Sequence, residues 1–134
     1  MRLQGLMNLH LNDGEPELLI ADNKRLVAKG QKLNDGQWHN IAVSMPKKDC
    51  LLSEVEFYID GQAVESEVVG QDNPVIVSLA NRLSFGGLGH GNGKELFSKR
   101  IYVEHGLKPF EGALDEISVW ARGLSAKEVA ELAK

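Results

Sequence analysis

Acidic residues alternate through one short apolar segment, and their spacing could in principle support glycoside hydrolysis. Glu54, Glu56 and Asp60 fall on the same face of a strand, because side chains on a strand repeat with period two. Such a face can hold two carboxylates several ångströms apart, which is what this reaction requires. However, Asp60-Gly61 is a strong signal for a hairpin turn, so Asp60 is expected to leave the strand. We therefore predict that this segment is not catalytic and that the chain is not an enzyme.

Other reactive residue types are too few or too scattered to form a predicted centre. His39 follows Trp38, and we interpret the pair as structural, with Trp38 closing one end of the core and His39 bonding to a neighbouring strand. The single cysteine, Cys50, excludes an intrachain disulfide, and no zinc-type spacing of Cys and His occurs. No Ser-His-Asp or Cys-His set can be argued from spacing.

Candidate ligand-binding residues come from one glycine-rich loop and two tyrosines. Residues 86–93 read GGLGHGNG and match neither phosphate-binding glycine pattern. This segment is either a plain connector or a ligand loop in which His90 and Asn92 could form hydrogen bonds. Tyr58, on the polar face with Glu56, and Tyr102 are candidate rings for sugar stacking, although an outward tyrosine is equally consistent with ordinary surface cover.

The elements that must position these residues are mostly strands. About ten period-two segments separated by turns rich in Gly, Asn and Asp, such as Asn12-Asp13-Gly14, predict an all-β fold, a two-sheet antiparallel β-sandwich with a short C-terminal helix. One strand is expected over Trp38–Met45, and the return strand of the Asp60-Gly61 hairpin is expected from about Gln62 to Val69. The apolar phase of the strands predicts a core that contains Trp38, Phe57, Ile59, Phe85, Ile117 and Val119.

The last residues predict a strand, a turn and a helix. Residues 113–121 alternate, which places Asp115 on the same face as Ile117 and Val119. Ser125 and Glu128 then form an S-x-x-E capping box, so a helix is expected to begin at about Ser125.

Composition narrows the functional classes. The chain has 134 residues and a formal net charge of −4, with its positive charges scattered, so nucleic acid is not the expected partner. No apolar run is long enough to span a bilayer, and residues 1–20 contain acidic residues where a signal peptide would be apolar. Without a linker or a repeat, residues 1–134 are expected to form a single domain.

Segments in four parts of the chain carry a resemblance to a known family. Their order and spacing resemble laminin-G-like jelly-roll domains of the concanavalin A-like lectin/glucanase superfamily, and the match covers roughly residues 16–132. The segments are DGQWHNIAV at 35–43, VEFYIDG at 55–61, LSFGG at 83–87, and FEGALDEISVW at 110–120 followed by GLS at 123–125.

This resemblance implies a jelly roll of two curved antiparallel sheets and a mainly extracellular or cell-surface location. It implies a non-catalytic module that binds carbohydrate or protein, often with a calcium ion at the rim, where Asp115 would be a ligand. The alternative for Asp115 is a structural role, in which its carboxylate bonds backbone N–H groups and fixes the end of a strand. Glucanases of the same fold place their catalytic acids on one strand. Residues 54–60 resemble the non-catalytic hairpin of the family more closely than they resemble that catalytic strand.

The chain departs from the family pattern at its beginning, because only 37 residues precede Trp38. The domain could be N-terminally truncated or minimal, or a partner could supply the missing edge strand. An unpaired sheet edge favours association, so a homodimer through that edge is one expectation. The alternatives to a binding module are therefore a dimeric assembly domain and, more remotely, a glycoside hydrolase or lyase.

Overall fold

The computed structural model describes residues 8–21, 24–75 and 110–134. The chain divides into two compact units, of which the first joins Met1–Val77 with Trp120–Lys134 and the second is Ser78–Val119. Every strand and helix described below belongs to the first unit. In the second unit, the described residues 110–119 form no regular secondary structure. The single domain expected from the sequence stays a prediction.

Two antiparallel sheets and one C-terminal helix make up the described secondary structure, as predicted. The strands are β1 (Asn8–Asn12), β2 (Glu15–Ala21), β3 (Lys24–Val27), β4 (Ile41–Ser44), β5 (Glu56–Ile59), β6 (Gln62–Val64) and β7 (Glu67–Val69). Sheet A has the strand order β1-β2-β3-β7, and sheet B has the order β4-β5-β6. A 3₁₀ turn at Leu52–Glu54 precedes β5, and helix α1 spans Ala126–Leu132.

In two of the hairpins, a tight turn with left-handed backbone joins the two strands. Asp60 and Gly61, between β5 and β6, have φ values of 51° and 82°. Asp13 and Gly14, between β1 and β2, have φ values of 49° and 83°. Two consecutive positive φ angles are the requirement of a two-residue type I′ hairpin turn, which Asp-Gly satisfies well. Both turns confirm the positions predicted from the sequence.

The hydrophobic core lies between the two sheets. Sheet A contributes Leu18, Ile20 and Leu26, whereas sheet B contributes Phe57, which is 1% exposed. The other buried members of the cluster are Ala28, Cys50, Leu52, Val55 and Val75, with Val43, Met45, Val64 and Val68 packed against it. Phe57 and Ile59 are both buried, which confirms two of the predicted core positions, and Cys50 is a small apolar filler.

Helix α1 begins with the predicted capping box. Ser125 Oγ accepts the backbone N–H of Glu128 at 3.2 Å, and the Glu128 carboxylate accepts the N–H of Ser125 at 2.8 Å. Arg122 also donates to Glu128, and this bond, followed by the Ser125 N–H, lowers the pKa of Glu128 to about 2. The far end of the helix lies against the β5–β6 turn, since a Cβ on Gly61 would stand 3.1 Å from Ala133 Cβ. Thus a local sequence signal starts the helix and a long-range contact places its end.

Ser44 fastens the segment before α1 to sheet B. Its hydroxyl donates to the carbonyl of Leu124 at 2.8 Å and accepts the Leu124 N–H at 2.9 Å, and Ser44 itself is buried. Ser44→Ala is expected to lower the free energy of unfolding by about 1–3 kcal/mol, because both backbone groups lose their partner. Denaturant unfolding would measure this, with Ser66→Ala at an exposed position as the matched control. Equal stability of the two variants would contradict the expectation.

The prediction of a strand near the C-terminus was wrong. Residues 113–121 were expected to be a strand, yet they form none, and Ile117 and Val119 are 48% and 70% exposed. Glu116 has a φ of 50°, and the Asp115 carboxylate accepts the Glu116 N–H at 2.8 Å. A positive φ in the middle of the segment interrupts the extended backbone, so the alternating residues do not share one face.

Trp38 is the second correction to the predicted core. The expected strand over Trp38–Met45 begins only at Ile41, and Trp38 lies in the preceding loop with 71% of its surface exposed. Asp35 and Gly36 turn the chain just before it, with Gly36 at a φ of 80°. The predicted core residue Phe85 lies outside the described residues.

The expected return strand from Gln62 to Val69 is two strands in different sheets. β6 pairs with β5 in sheet B, whereas β7 pairs with β3 in sheet A. Residues 65 and 66 between them are exposed and lie outside both strands, so the chain crosses from one sheet to the other there. The alternation of residue types does not reveal such a crossing, because each half keeps the same period.

Candidate functional site

An exposed indole on a firmly held loop is the main candidate binding feature of the described residues. We refer to residues 35–40 as the Trp38 loop. Trp38 has the highest exposed fraction among the large exposed hydrophobic residues of the described chain, at 71%. Most large aromatic side chains bury their surface, so an indole left in water needs an explanation.

Hydrogen bonds join the Trp38 loop to the β5–β6 turn. His39 Nδ1 lies 2.9 Å from Asp60 Oδ2, and His39 Nε2 lies 3.0 Å from Asp35 Oδ1. The other oxygen of Asp60 accepts the backbone N–H of Asn40 at 2.9 Å, and Asp35 also accepts the N–H of Gln37. The backbone on both sides of Trp38 is therefore held, and its ring is presented by an ordered loop.

The charges of this network support one another. Bonds to Asp60 and then to Asp35 raise the pKa of His39 above its ordinary value. The pKa of Asp60 is lowered by His39 and then by the Asn40 N–H, and the pKa of Asp35 is lowered by the Gln37 N–H and then by His39. All three shifts favour a protonated imidazole between two carboxylates. The prediction that His39 bonds across to a neighbouring strand is consistent with its contact to Asp60 at the end of β5.

The predicted site around Glu56 and Tyr58 is less open than its polar face indicated. Tyr58 is 2% exposed, which corrects its interpretation as a surface ring for sugar stacking. Its hydroxyl donates to Glu56 at 2.7 Å, and burial together with this bond raises the pKa of Tyr58 to about 12. Helix α1 contacts β6, and Ser44 ties the preceding segment to β4 on this same face. Tertiary packing has therefore covered the ring, while Glu56 remains exposed.

The acids that alternate in sequence do not converge in the structure. Glu54 ends the 3₁₀ turn, where it accepts the Leu51 N–H at 2.7 Å and pairs with Lys47 at 3.3 Å. The Leu51 N–H, as the largest influence, lowers the pKa of Glu54. The Asp60 carboxylate is hydrogen-bonded to His39 and to the backbone N–H of Asn40. Glu56 accepts from the Tyr58 hydroxyl, so each of the three acids has a different partner among the described residues.

Of the remaining predicted site residues, only Asp115 belongs to the described part of the chain. His90, Asn92 and Tyr102, with the loop 86–93, lie outside the described residues. Asp115 is exposed and its carboxylate accepts a local backbone N–H. In residues 8–21, 24–75 and 110–134, no group of three or more His, Cys, Asp or Glu residues could hold a metal ion. Calcium binding at Asp115 stays a prediction.

A polar network on sheet A was not anticipated from the sequence. Glu17 is 4% exposed, and its carboxylate contacts His10 Nε2 at 3.0 Å and accepts from Asn12 at 3.1 Å. Arg25 approaches the same carboxylate at 3.6 Å through Nε, which has no hydrogen-bond partner in the part of the chain that the structure describes. The register of the β1–β2 hairpin places His10 opposite Glu17, and the Asp13-Gly14 turn could have indicated that pairing. We interpret the network as compensation for a buried carboxylate.

The match to a protein-family model agrees with the two-sheet architecture. Residues 5–130 match a protein-family model described as the concanavalin A-like lectin/glucanases superfamily. No curated protein gives a significant match. The crystal structure of an S-layer domain-containing protein (residues 221–444) from Clostridium thermocellum ATCC 27405 is similar at a TM-score of 0.49 and 18% sequence identity. That alignment covers 98% of this chain and 64% of the other, so this chain spans about two thirds of that structure.

Proposed function

Because this chain belongs to the laminin-G-like family of the concanavalin A-like lectin/glucanase superfamily, we propose that it is a non-catalytic module that binds a glycan or a protein surface. We place it in an extracellular or cell-surface protein, where members of this family mostly occur. No helix in the described ranges combines the length and apolar character needed to cross a membrane.

The exposed ring of Trp38 is the observation that carries this proposal. An indole offers a broad apolar face to the C–H groups of a sugar or to an aliphatic side chain, and its N–H can donate a hydrogen bond. Its backbone is already ordered by Asp35, His39 and Asp60, so binding costs little conformational entropy. Rigid aromatic side chains of this kind often dominate the energy of recognition surfaces.

The arrangement of the acids supports a module without hydrolytic activity. Glycoside hydrolysis needs two carboxyl groups that flank the scissile bond from defined distances. Glu54 and Asp60 are each engaged by backbone N–H groups and a cationic or protonatable side chain, whereas Glu56 accepts from Tyr58. Each of these three acids has its own hydrogen-bond partner among the described residues, which supports the proposal that they do not act as a catalytic pair.

An assembly domain is the second function that a specific observation favours. Large apolar side chains are exposed in the second unit, at Phe110, Leu114, Ile117 and Val119. Contiguous exposed apolar residues often mark a protein–protein contact. Light scattering coupled to size exclusion over a range of concentrations would test this alternative, and a monomer at all concentrations would remove it.

We expect the purified chain to bind members of a glycan or protein array and to leave β-glucan intact. The array should be run with and without calcium, since Asp115 is the predicted metal ligand. In a Trp120→Phe variant, Trp38 is the one remaining tryptophan, so a bound ligand should shift its fluorescence emission.

Two outcomes would contradict the proposal. Binding that leaves Trp38 emission unchanged would place recognition away from the Trp38 loop. Cleavage of β-glucan that Glu56→Gln abolishes, with an unchanged melting temperature, would establish an enzyme instead. The matched control for that second experiment is Glu65→Gln, which changes an exposed acid in the segment that connects β6 to β7.

A further inference from the structure

The His39 ring is placed so that only its protonated form can satisfy both neighbours. Nδ1 faces Asp60 Oδ2 at 2.9 Å, and Nε2 faces Asp35 Oδ1 at 3.0 Å. A carboxylate can only accept, so each ring nitrogen must carry a proton to donate. A neutral imidazole has one N–H, and its other nitrogen would then turn a lone pair toward a carboxylate.

Asp35 and Asp60 are the charged groups that face this ring within the described residues. Asp35 comes from the Trp38 loop itself, and Asp60 comes from the β5–β6 turn. The two carboxylates repel one another, and the imidazolium between them compensates that repulsion. Loss of the His39 proton therefore weakens one of the two hydrogen bonds and leaves the repulsion between the two carboxylates uncompensated. Either bond, if lost, loosens the backbone on one side of Trp38.

We propose that His39 is a positioning residue that makes ligand binding by Trp38 depend on pH, with tighter binding when its imidazole is protonated and weaker binding when it is neutral. This inference rests on the proposed function, because it assigns a regulation to the same binding site. His39 does not contact the ligand in this account. It acts by holding the loop that presents the indole, so its protonation state sets the fraction of chains that are ready to bind.

The sign of the dependence follows from the directions of the pKa shifts. The pKa of His39 is raised by Asp60 and Asp35, so the bridge is complete below the ordinary histidine pKa and is lost as pH rises through the raised one. The pKa values of Asp35 and Asp60 are lowered, so the bridge is lost at the acid end only as pH falls through those values. The bridge is complete between these limits, in mildly acidic solution.

Two substitutions at this bridge separate the protonation effect from simple loss of structure. His39→Arg keeps a permanent cation with donors for both carboxylates, so its loop should remain ordered from about pH 5 to about pH 9. Asp35→Asn keeps the shape of the side chain and lets its amide donate to the bare Nε2 of a neutral His39. That variant should titrate at lower pH than the wild-type sequence, because the neutral ring is no longer penalised.

The experiment follows Trp38 emission and its quenching by iodide from about pH 5 to about pH 9 in the Trp120→Phe background. NMR of the His39 ring over the same range gives its titration curve. We expect the Trp38 signal to change at the His39 midpoint, to stay constant in His39→Arg, and to change at lower pH in Asp35→Asn. Affinity for a ligand found on the array should fall about two- to fivefold above the midpoint, the range that exposed ion pairs can support.

The readouts distinguish failure of this inference from failure of the proposed function. If no ligand is found, the Trp38 signal and the His39 titration still show whether the loop responds to protonation. A Trp38 signal that does not follow His39, or a transition that persists in His39→Arg, overturns the inference. Equal affinity on both sides of the midpoint overturns it as well, and then binding by Trp38 stands without this regulation.

Discussion

Replacing Phe57 with alanine is expected to lower the free energy of unfolding by about 3–5 kcal/mol. Phe57 is 1% exposed and, among the residues that the structure describes, is the one aromatic member of the buried cluster between the sheets. Removal of its ring loses the transfer free energy of the buried atoms and leaves a cavity that two hydrogen-bonded sheets cannot close fully. Guanidinium unfolding followed by circular dichroism would measure the change from the shift in midpoint.

Two control variants sharpen the Phe57 prediction. Phe57→Leu keeps most of the apolar volume and should cost less than the alanine variant. Leu132→Ala removes a large apolar side chain from an exposed position on α1 and should change stability by no more than about 0.5 kcal/mol. If Phe57→Ala changes the free energy of unfolding by less than about 1 kcal/mol, this ring does not support the core.

Trp38→Ala is expected to weaken ligand binding by about 30-fold or more while the fold keeps its stability. The indole is the largest exposed apolar surface on the Trp38 loop, so truncation removes contact area that the ligand would otherwise cover. The same exposure means that the folded chain loses little packing, and we expect a change in unfolding free energy of less than about 0.5 kcal/mol. Titration calorimetry and thermal unfolding would measure the two effects separately.

Conservative and distant substitutions make the Trp38 result interpretable. Trp38→Phe retains an aromatic face and should keep part of the affinity, whereas alanine should not. Trp120→Ala removes the other tryptophan of the chain and should bind like the unchanged protein. If Trp38→Ala instead unfolds the protein at lower denaturant without changing affinity, the indole is a packing residue, as the sequence first indicated.

Local signals predicted much of the described architecture. The Asp13-Gly14 and Asp60-Gly61 turns were identifiable because few residues adopt positive φ readily. The start of α1 was identifiable because Ser125 and Glu128 satisfy backbone N–H groups within one turn. Each of these signals depends on residues next to one another in the chain, and no distant contact is needed to interpret it.

Predictions about the exposure of particular side chains were less successful. Trp38, Ile117 and Val119 were assigned to the core, and Tyr58 was assigned to the surface, but their exposures are the reverse. The sequence pattern states which residues share a face of an ideal strand. It does not state where that strand begins, as at Ile41, or whether a second element covers its polar face, as beside Tyr58.

The all-β character, the tight turns, the helix cap and the family of this chain are all predictable from the amino-acid sequence. The exposure of Trp38, the burial of Tyr58 and the position of His39 between two carboxylates become evident only in the folded chain. The physical reason is the range of the interactions. Turn and cap preferences arise within a few residues, whereas the contact of His39 with Asp60 joins positions 21 residues apart and exists only once β4 and β5 are paired.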